Sequence, residues 1–144
     1  MLNIHYPSIH ILPHGLVEYP SGKKEWFMNG QRHREDGPAI EHVNGRKEWY
    51  LHGKLHRIDG PAIDDGGNTF WYLNGQRHNP NGPAIELADG YKSWWLNDLR
   101  HREDGPAIED TNGMKSWCIN GEFYGTNNDF TIQSWIHFQK SLLF

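Results

Sequence analysis

The sequence predicts an all-β protein: an elongated single-layer antiparallel sheet of stacked β-hairpin repeats, with a short C-terminal α-helical cap. Three observations predict it. Tryptophans stand at Trp26, Trp49, Trp71, Trp94 and Trp117, in steps of 23, 22, 23 and 23 residues. Each opens a short apolar stretch that ends in Asn-Gly or a variant: "WFMNG", "WYLHG", "WYLNG", "WWLND", "WCING". A Gly-Pro-Ala follows each of the first four. A fixed period of this length is the mark of a repeat array, whose end units are atypical because they have no neighbour to cover them.

Residues 1–13 are expected to form an N-terminal edge strand or cap, residues 14–125 the array, and residues 126–144 a helical cap. Within a unit, Gly-Pro cannot continue a helix interior, and the "AIE" or "AID" after it begins a strand. Asn44-Gly45, Asp89-Gly90 and Asn112-Gly113 supply the φ > 0 positions of tight hairpin turns. A second strand then runs through the tryptophan to the next Asn-Gly. Side chains alternate faces along a strand, so Trp49 and Leu51 share one face, and Glu48 and Tyr50 the other. The Trp/Leu face, repeated as Trp26 with Met28, Trp71 with Leu73, Trp94 with Leu96 and Trp117 with Ile119, is expected to be the core stripe. The opposite column is Phe27, Tyr50, Tyr72, Trp95 and Cys118. It reads either as cover for the second face or as an exposed aromatic ladder with one ring per unit.

The tail "NDFTIQSWIHFQKSLLF" breaks the period. Asn128 or Asp129 can cap a helix from about Phe130 to Leu142, with Trp135, Phe138 and Leu142 on one face. Such a helix serves as a lid over the last strand edge. The alternative is an apolar handle for a homodimer contact through a terminal segment.

Composition narrows the function classes. Apolar residues make up 36% and mean hydropathy is −0.81, too little for a thick core, yet seven Trp argue against disorder. A net charge of −4 gives no electrostatic reason for binding duplex nucleic acid or an anionic membrane. The single Cys118 excludes an intrachain disulfide and a multi-cysteine zinc site. No stretch approaches the ~20 apolar residues of a membrane span, so a soluble, cytoplasmic protein is expected (in the host cytoplasm if viral).

The nonapeptide "HREDGPAIE" occurs twice, at His33–Glu41 and His101–Glu109. It resembles an active site by residue type. It recurs, however, as "HRIDGPAID" and "HNPNGPAIE", and a residue that every unit carries is one that every unit needs to fold. His33, His56, His78 and His101 recur throughout. Arg34, Arg57 and Arg102 give way to Asn79 in the third unit, and Asp36, Asp59 and Asp104 to Asn81. The Asp or Asn is expected to form an Asx-turn, and the His to pack on a tryptophan or bond a carbonyl. Equivalent histidines two strands apart lie roughly 10 Å from one another, too far to share a zinc ion with ligands near ~2.0–2.1 Å. Adjacent carboxylates in a turn diverge, and Ile58 and Pro80 replace Glu35 and Glu103 elsewhere. No catalytic residue, metal ligand or cofactor is expected.

The pattern W-Y-L-N-G-x-x-H-R-x-D-G-P-A over residues 14 to 125 resembles a variant of the MORN repeat. The aromatic, Asn-Gly and His of the ordinary unit are present. Its His-Gly-x-Gly is replaced by His-Arg-x-Asp-Gly-Pro, and its lysine after the turn glycine is kept only at Lys54. The resemblance implies an elongated sheet of stacked hairpins with a scaffolding, protein-binding or lipid-associating role rather than catalysis. The variant is similar to one in bacterial, phage and giant-virus proteins, which implies a phage or viral inhibitor of a host defence protein as a setting.

In repeat proteins the constant columns build the frame and the variable ones can read a partner. The candidate binding positions are the aromatic ladder Phe27, Tyr50, Tyr72 and Trp95, the arginines Arg32, Arg77 and Arg100 beside it, and His42, Glu48 and Phe70 from variable columns. A protein partner is expected. The alternatives are a structural scaffold and a small-ligand or nucleotide sequestering protein, in which the rings stack a base and the arginines hold a phosphate.

Overall fold

The computed structural model describes residues 11–129, 132–141 and 143. Twelve strands of this part join one open antiparallel sheet, running from the edge strand Gly15–Glu18 to the edge strand Glu122–Thr126. Three two-stranded ribbons stand beside it. The all-β repeat architecture predicted from the period is therefore what forms.

Each unit makes two hairpins. In the second unit, Ile40–Glu41 pairs with Lys47–Glu48 around the Asn44-Gly45 turn, and both belong to the main sheet. The chain then passes Trp49 into Tyr50–Leu51, which pairs instead with Lys54–Leu55. The change of partner occurs at the tryptophan, whose N–H donates to the Ala62 carbonyl (2.8 Å) and whose carbonyl accepts from His56 N–H (3.0 Å). The ribbon turn is His52-Gly53, left-handed at both residues (φ 48° and 75°), which is the two-residue turn that matches strand twist. Asn occupies the first turn position in the other units, at Asn29, Asn74, Asn97 and Asn120. Asn tolerates this backbone region better than most non-glycine residues.

Units are tied by a repeated bond set. The turn amide of each ribbon reaches the preceding one: Gly53 N–H to Arg32 O, Gly75 N–H to Leu55 O, and Gly121 N–H to Arg100 O, at 2.8–2.9 Å. The loop of each unit donates forward: Arg34 N–H to Tyr50 O and Arg57 N–H to Tyr72 O, both 3.0 Å. The histidines complete the joint. Nδ1 of His33 accepts the N–H of His52 (3.0 Å), and His56, His78 and His101 do the same for Asn74, Asn97 and Asn120 (3.1–3.2 Å). His14 receives Asn29 N–H at 3.3 Å. The expectation that these histidines bond a carbonyl is met in part, since Nδ1 of His56, His78 and His101 also lies 2.9 Å from the side-chain oxygen of Asn74, Asn97 and Asn120; the backbone amide is the partner that was not foreseen. They accept an amide from a turn that is itself left-handed, across about one full unit of sequence.

The expected core stripe also needs correction. Trp26, Trp49, Trp71 and Trp94 are only half-buried, although Trp117 is buried. A single-layer sheet has no second layer to cover that face. Fully enclosed instead are Ala39, Ala62, Ala84 and Ala107, where each loop folds onto the sheet.

Residues 1–10 of the predicted N-terminal cap, and Phe130 and Leu142 of the predicted helix, lie outside the described residues. The helix spans Ile132–Ser141. Trp135, 1% exposed, donates Nε1–H to the Glu103 carbonyl (3.0 Å) and stacks with Phe138, while Tyr124 of the last strand meets both rings. The helix is thereby fastened to the final unit.

Candidate binding face

Register places the candidate residues on one face. Directly opposed residues of an antiparallel pair share a face. Glu25 opposes Ile40, Ile40 opposes Glu48, Glu48 opposes Ile63, Ile63 opposes Phe70, Phe70 opposes Ile85, and Ile85 opposes Ser93. One row thus alternates a constant isoleucine with a variable residue. Two positions further along each strand stand Phe27, Tyr50, Tyr72 and Trp95. Tyr50 folds back to donate its hydroxyl to Glu48 Oε2 (3.1 Å), and Trp95 donates Nε1–H to Ser93 Oγ (2.8 Å), so these rings lie on the row's side. Phe27 opposes Arg32 at the border of the main sheet, and in the ribbons Tyr72 opposes Arg77 and Trp95 opposes Arg100. His42 reaches the same face through Nε2, 3.0 Å from Glu48 Oε1.

The ladder is not an open row of rings. Phe27, Tyr50 and Tyr72 are half-buried and Trp95 is buried. Tyr50 and Trp95 lean on their own strands, and arginines lie over these two rings. The guanidinium groups of Arg77 and Arg100 lie 3.7 and 4.9 Å from the Trp95 ring centre, and Arg32 lies 5.7 Å from that of Tyr50.

Charge is distributed unevenly along the face. Glu48 is buried (8% exposed) and receives His42, Arg46 Nε (2.9 Å) and Tyr50. Burial works to raise its carboxyl pKa, but these bonds and the Arg46 charge outweigh it and the net shift is downward. The same balance, with Lys23 and Arg32 as partners, lowers that of Glu25. Burial, then the Glu48 charge, pushes the Tyr50 phenol up to about 12. Further along, Phe70, Ser93 and Ser116 replace the carboxylates. Arg77 is held by Asp98, which accepts its backbone N–H (3.1 Å) and its Nε (2.6 Å). Arg100 is exposed and has no ion pair among the described residues. The face therefore runs from internally neutralised carboxylates towards an open guanidinium.

Sequence reasoning missed two members of this face, Arg46 and Asp98. Asp98 carried a legible signal. It stands where other units have the turn glycine, and it holds φ at 64°, a costly region for a side-chain-bearing residue unless something compensates. The compensation is Arg77.

The opposite face carries the loops. Arg34 stacks on Trp26, Arg57 on Trp49 and Arg102 on Trp94, with the guanidinium 3.9–4.0 Å from each ring centre. Each of these arginines donates Nε–H to the aspartate two residues on (2.8–2.9 Å) and Nη1–H to the proline carbonyl four residues on (3.1–3.3 Å). Asp36, Asp59 and Asp104 are thus arginine partners, a correction to the expected Asx-turn. The nonapeptide is a clamp that covers a tryptophan. Among the described residues no cluster of His, Cys, Asp and Glu could hold a metal ion, and no helix is long and apolar enough to cross a membrane. Neither a scan against protein-family models nor a search of curated proteins gives a match.

Proposed function

We propose that the chain is a non-enzymatic, MORN-like protein-binding module that engages a protein partner through the ladder face. One observation carries this reading: the ten positions singled out from sequence form one continuous face rich in arginine and aromatic side chains. Those residue types are enriched where proteins meet and dominate the energetics of such contacts. The reactive groups of the face argue for binding over chemistry. Glu48 is saturated by three donors, and the opposite face spends its arginines and aspartates on covering tryptophans. A base-stacking role is less well supported, because the Trp95 ring already carries two guanidinium groups.

The test uses the open end of the face. The protein is used to capture a partner from lysate of its natural source, alongside Arg100→Glu and, as an opposite-face control, Leu99→Ser. We expect Arg100→Glu to weaken capture roughly tenfold or more, as loss of about 1.4–2 kcal/mol at a contact arginine implies, and Leu99→Ser to leave it unchanged. Undiminished capture by a folded Arg100→Glu and by a folded Leu55→Glu, whose residue opposes Tyr50 on the same face, would remove the ladder face from the interaction.

A further inference from the structure

Three times over, this chain shows what lies on a repeat tryptophan: the guanidinium group of Arg34, Arg57 or Arg102. The third unit departs from this. Asn79 stands at the arginine's place and Asn81 at the aspartate's. Asn79 keeps the proline bond, donating Nδ2–H to Pro83 O (2.9 Å), and its Oδ1 accepts Asn81 N–H (3.0 Å). Its amide is too short to extend over the indole of Trp71, and among the described residues no cation lies over that ring. A pocket of about 240 Å³ lies against it, lined by Trp71 and Leu73, by Asn79 and Pro80, and by Arg57 and Ile58 of the preceding loop. Corresponding pockets of about 500 and 590 Å³ lie against Trp49 and Trp94, whose arginines are in place, so what distinguishes Trp71 is the missing guanidinium on its ring and not the size of the pocket. The glycine of this loop shows the same vacated space. A Cβ on Gly82 would meet only the Asn79 amide nitrogen, at 3.5 Å, whereas one on Gly60 would lie 2.7 Å from a guanidinium carbon.

We propose that the Trp71 pocket binds a guanidinium group supplied from outside, an arginine side chain of a partner protein, in the place that its sister units fill from within. Two residues of this unit correspond in sequence to the acceptors of the sister clamps. Glu86 has the same offset as Glu41 and Glu109, whose carboxylates accept from Arg34 and Arg102 Nη1 (3.2 and 3.0 Å). It is partly exposed and pairs with Lys92 through Oε1 (2.9 Å). Asn81 stands at the clamp aspartate's place in the sequence and lines the pocket. Arg57 at the pocket rim is no obstacle, because it is neutralised by Asp59 (2.9 Å) and itself lines the preceding pocket together with Arg34. The site is on the face opposite the ladder, so it stands or falls independently of the proposed binding face.

The test is NMR of the indole N–H of Trp71 during titration with N-acetyl-arginine methylamide, with the citrulline analogue as an uncharged isostere. The expected result is a saturable shift with the arginine probe and one several-fold weaker with citrulline. Asn79→Arg, which supplies the missing guanidinium from within, should abolish the shift and raise Tm. Asn79→Gln, still neutral, should retain it. If Asn79→Arg does not fold, Asn79→Lys places a cation at the same ring and serves instead. The proposal is overturned by no saturable shift in the wild type, by equal response to citrulline, or by undiminished binding in the folded arginine or lysine variant.

Discussion

A Cβ placed on Gly60 would lie 2.7 Å from the guanidinium carbon of Arg57. The guanidinium is therefore held between the Trp49 ring on one side and the Gly60 backbone on the other. It has little freedom to yield, because Asp59 and the Pro61 carbonyl fix its nitrogens. Gly60→Ala should cost about 1–3 kcal/mol, the range for overfilling a packed site. Gly82→Ala, beside the short Asn79, should change stability by less than about 0.5 kcal/mol. Urea unfolding of the two variants compares them directly, and equal losses would show that the glycine is not there to seat the arginine.

The histidine joints are expected to be local in effect. His56→Ala leaves the Asn74 N–H without its ring acceptor, at a cost of about 1–3 kcal/mol for an unsatisfied donor, less where water reaches it. The Asn74 amide should exchange with solvent distinctly faster, while Asn29 and Asn120 amides keep their wild-type rates. Faster exchange throughout the chain would instead mean that one joint holds the whole array.

Acid stability should depend on Glu48. Its carboxyl pKa is lowered in the folded protein, where burial is outweighed by His42, Arg46 and Tyr50. The unfolded chain then binds the proton more readily. The contribution of Glu48 is present above the ordinary glutamate value of about 4.3 and is lost as pH falls through the lower folded value. Glu48→Gln should be less stable at neutral pH and lose less on acidification. Stability curves of the two proteins that stay parallel in acid would contradict this.

The Tyr50 phenol carries the opposite sign. Burial and Glu48 raise its pKa to about 12, so its contribution is intact below the unfolded tyrosine value near ~10 and disappears as pH rises through the folded value. In a phenolate absorbance titration of the folded protein, the ionisation at about 12 should vanish in Tyr50→Phe, while the upward shift of Tyr124, which donates to Glu122, should remain.

Removing the anchor of the cap should loosen one end only. Trp135→Ala empties a buried site and deprives the Glu103 carbonyl of its donor, a loss of about 3–5 kcal/mol. Amide exchange should accelerate in Lys115–Ile119 and Glu122–Thr126 before the units around Trp26 and Trp49 are affected.

The fold was legible because its determinants are local. Asn-Gly turns, Gly-Pro breaks and alternation within "EWYL" act over a few residues, and the period repeats them in register. Alternation also tells which residues share a face, and on that basis the ladder, Arg32, Arg77 and Arg100 fall together. It does not tell which face is enclosed. That depends on Arg34 reaching back eight residues to Trp26, and on the fact that a single sheet offers no second layer. The histidine role was illegible for a similar reason. His33 and His52 are 19 residues apart, and nothing in either local sequence announces that a ring nitrogen will receive the other's amide. Asp36 was misread as a turn former because its true partner, Arg34, was read separately. The joint loss of both charges at Asn79 and Asn81 was the clue that they act as a pair.

The backbone and histidine bonds that join one unit to the next are made between immediate neighbours by positions that recur from unit to unit, and the Asp98 contacts to Arg77 are an addition at one joint. A turn amide, a histidine nitrogen and two carbonyls form a matched head and tail. Length is therefore unspecified by the joint. Duplication or excision of one whole repeat would present the same head to the same tail at the new junction. The number of ladder rungs displayed to a partner can then change by recombination within the gene, without any adjustment of the units that remain.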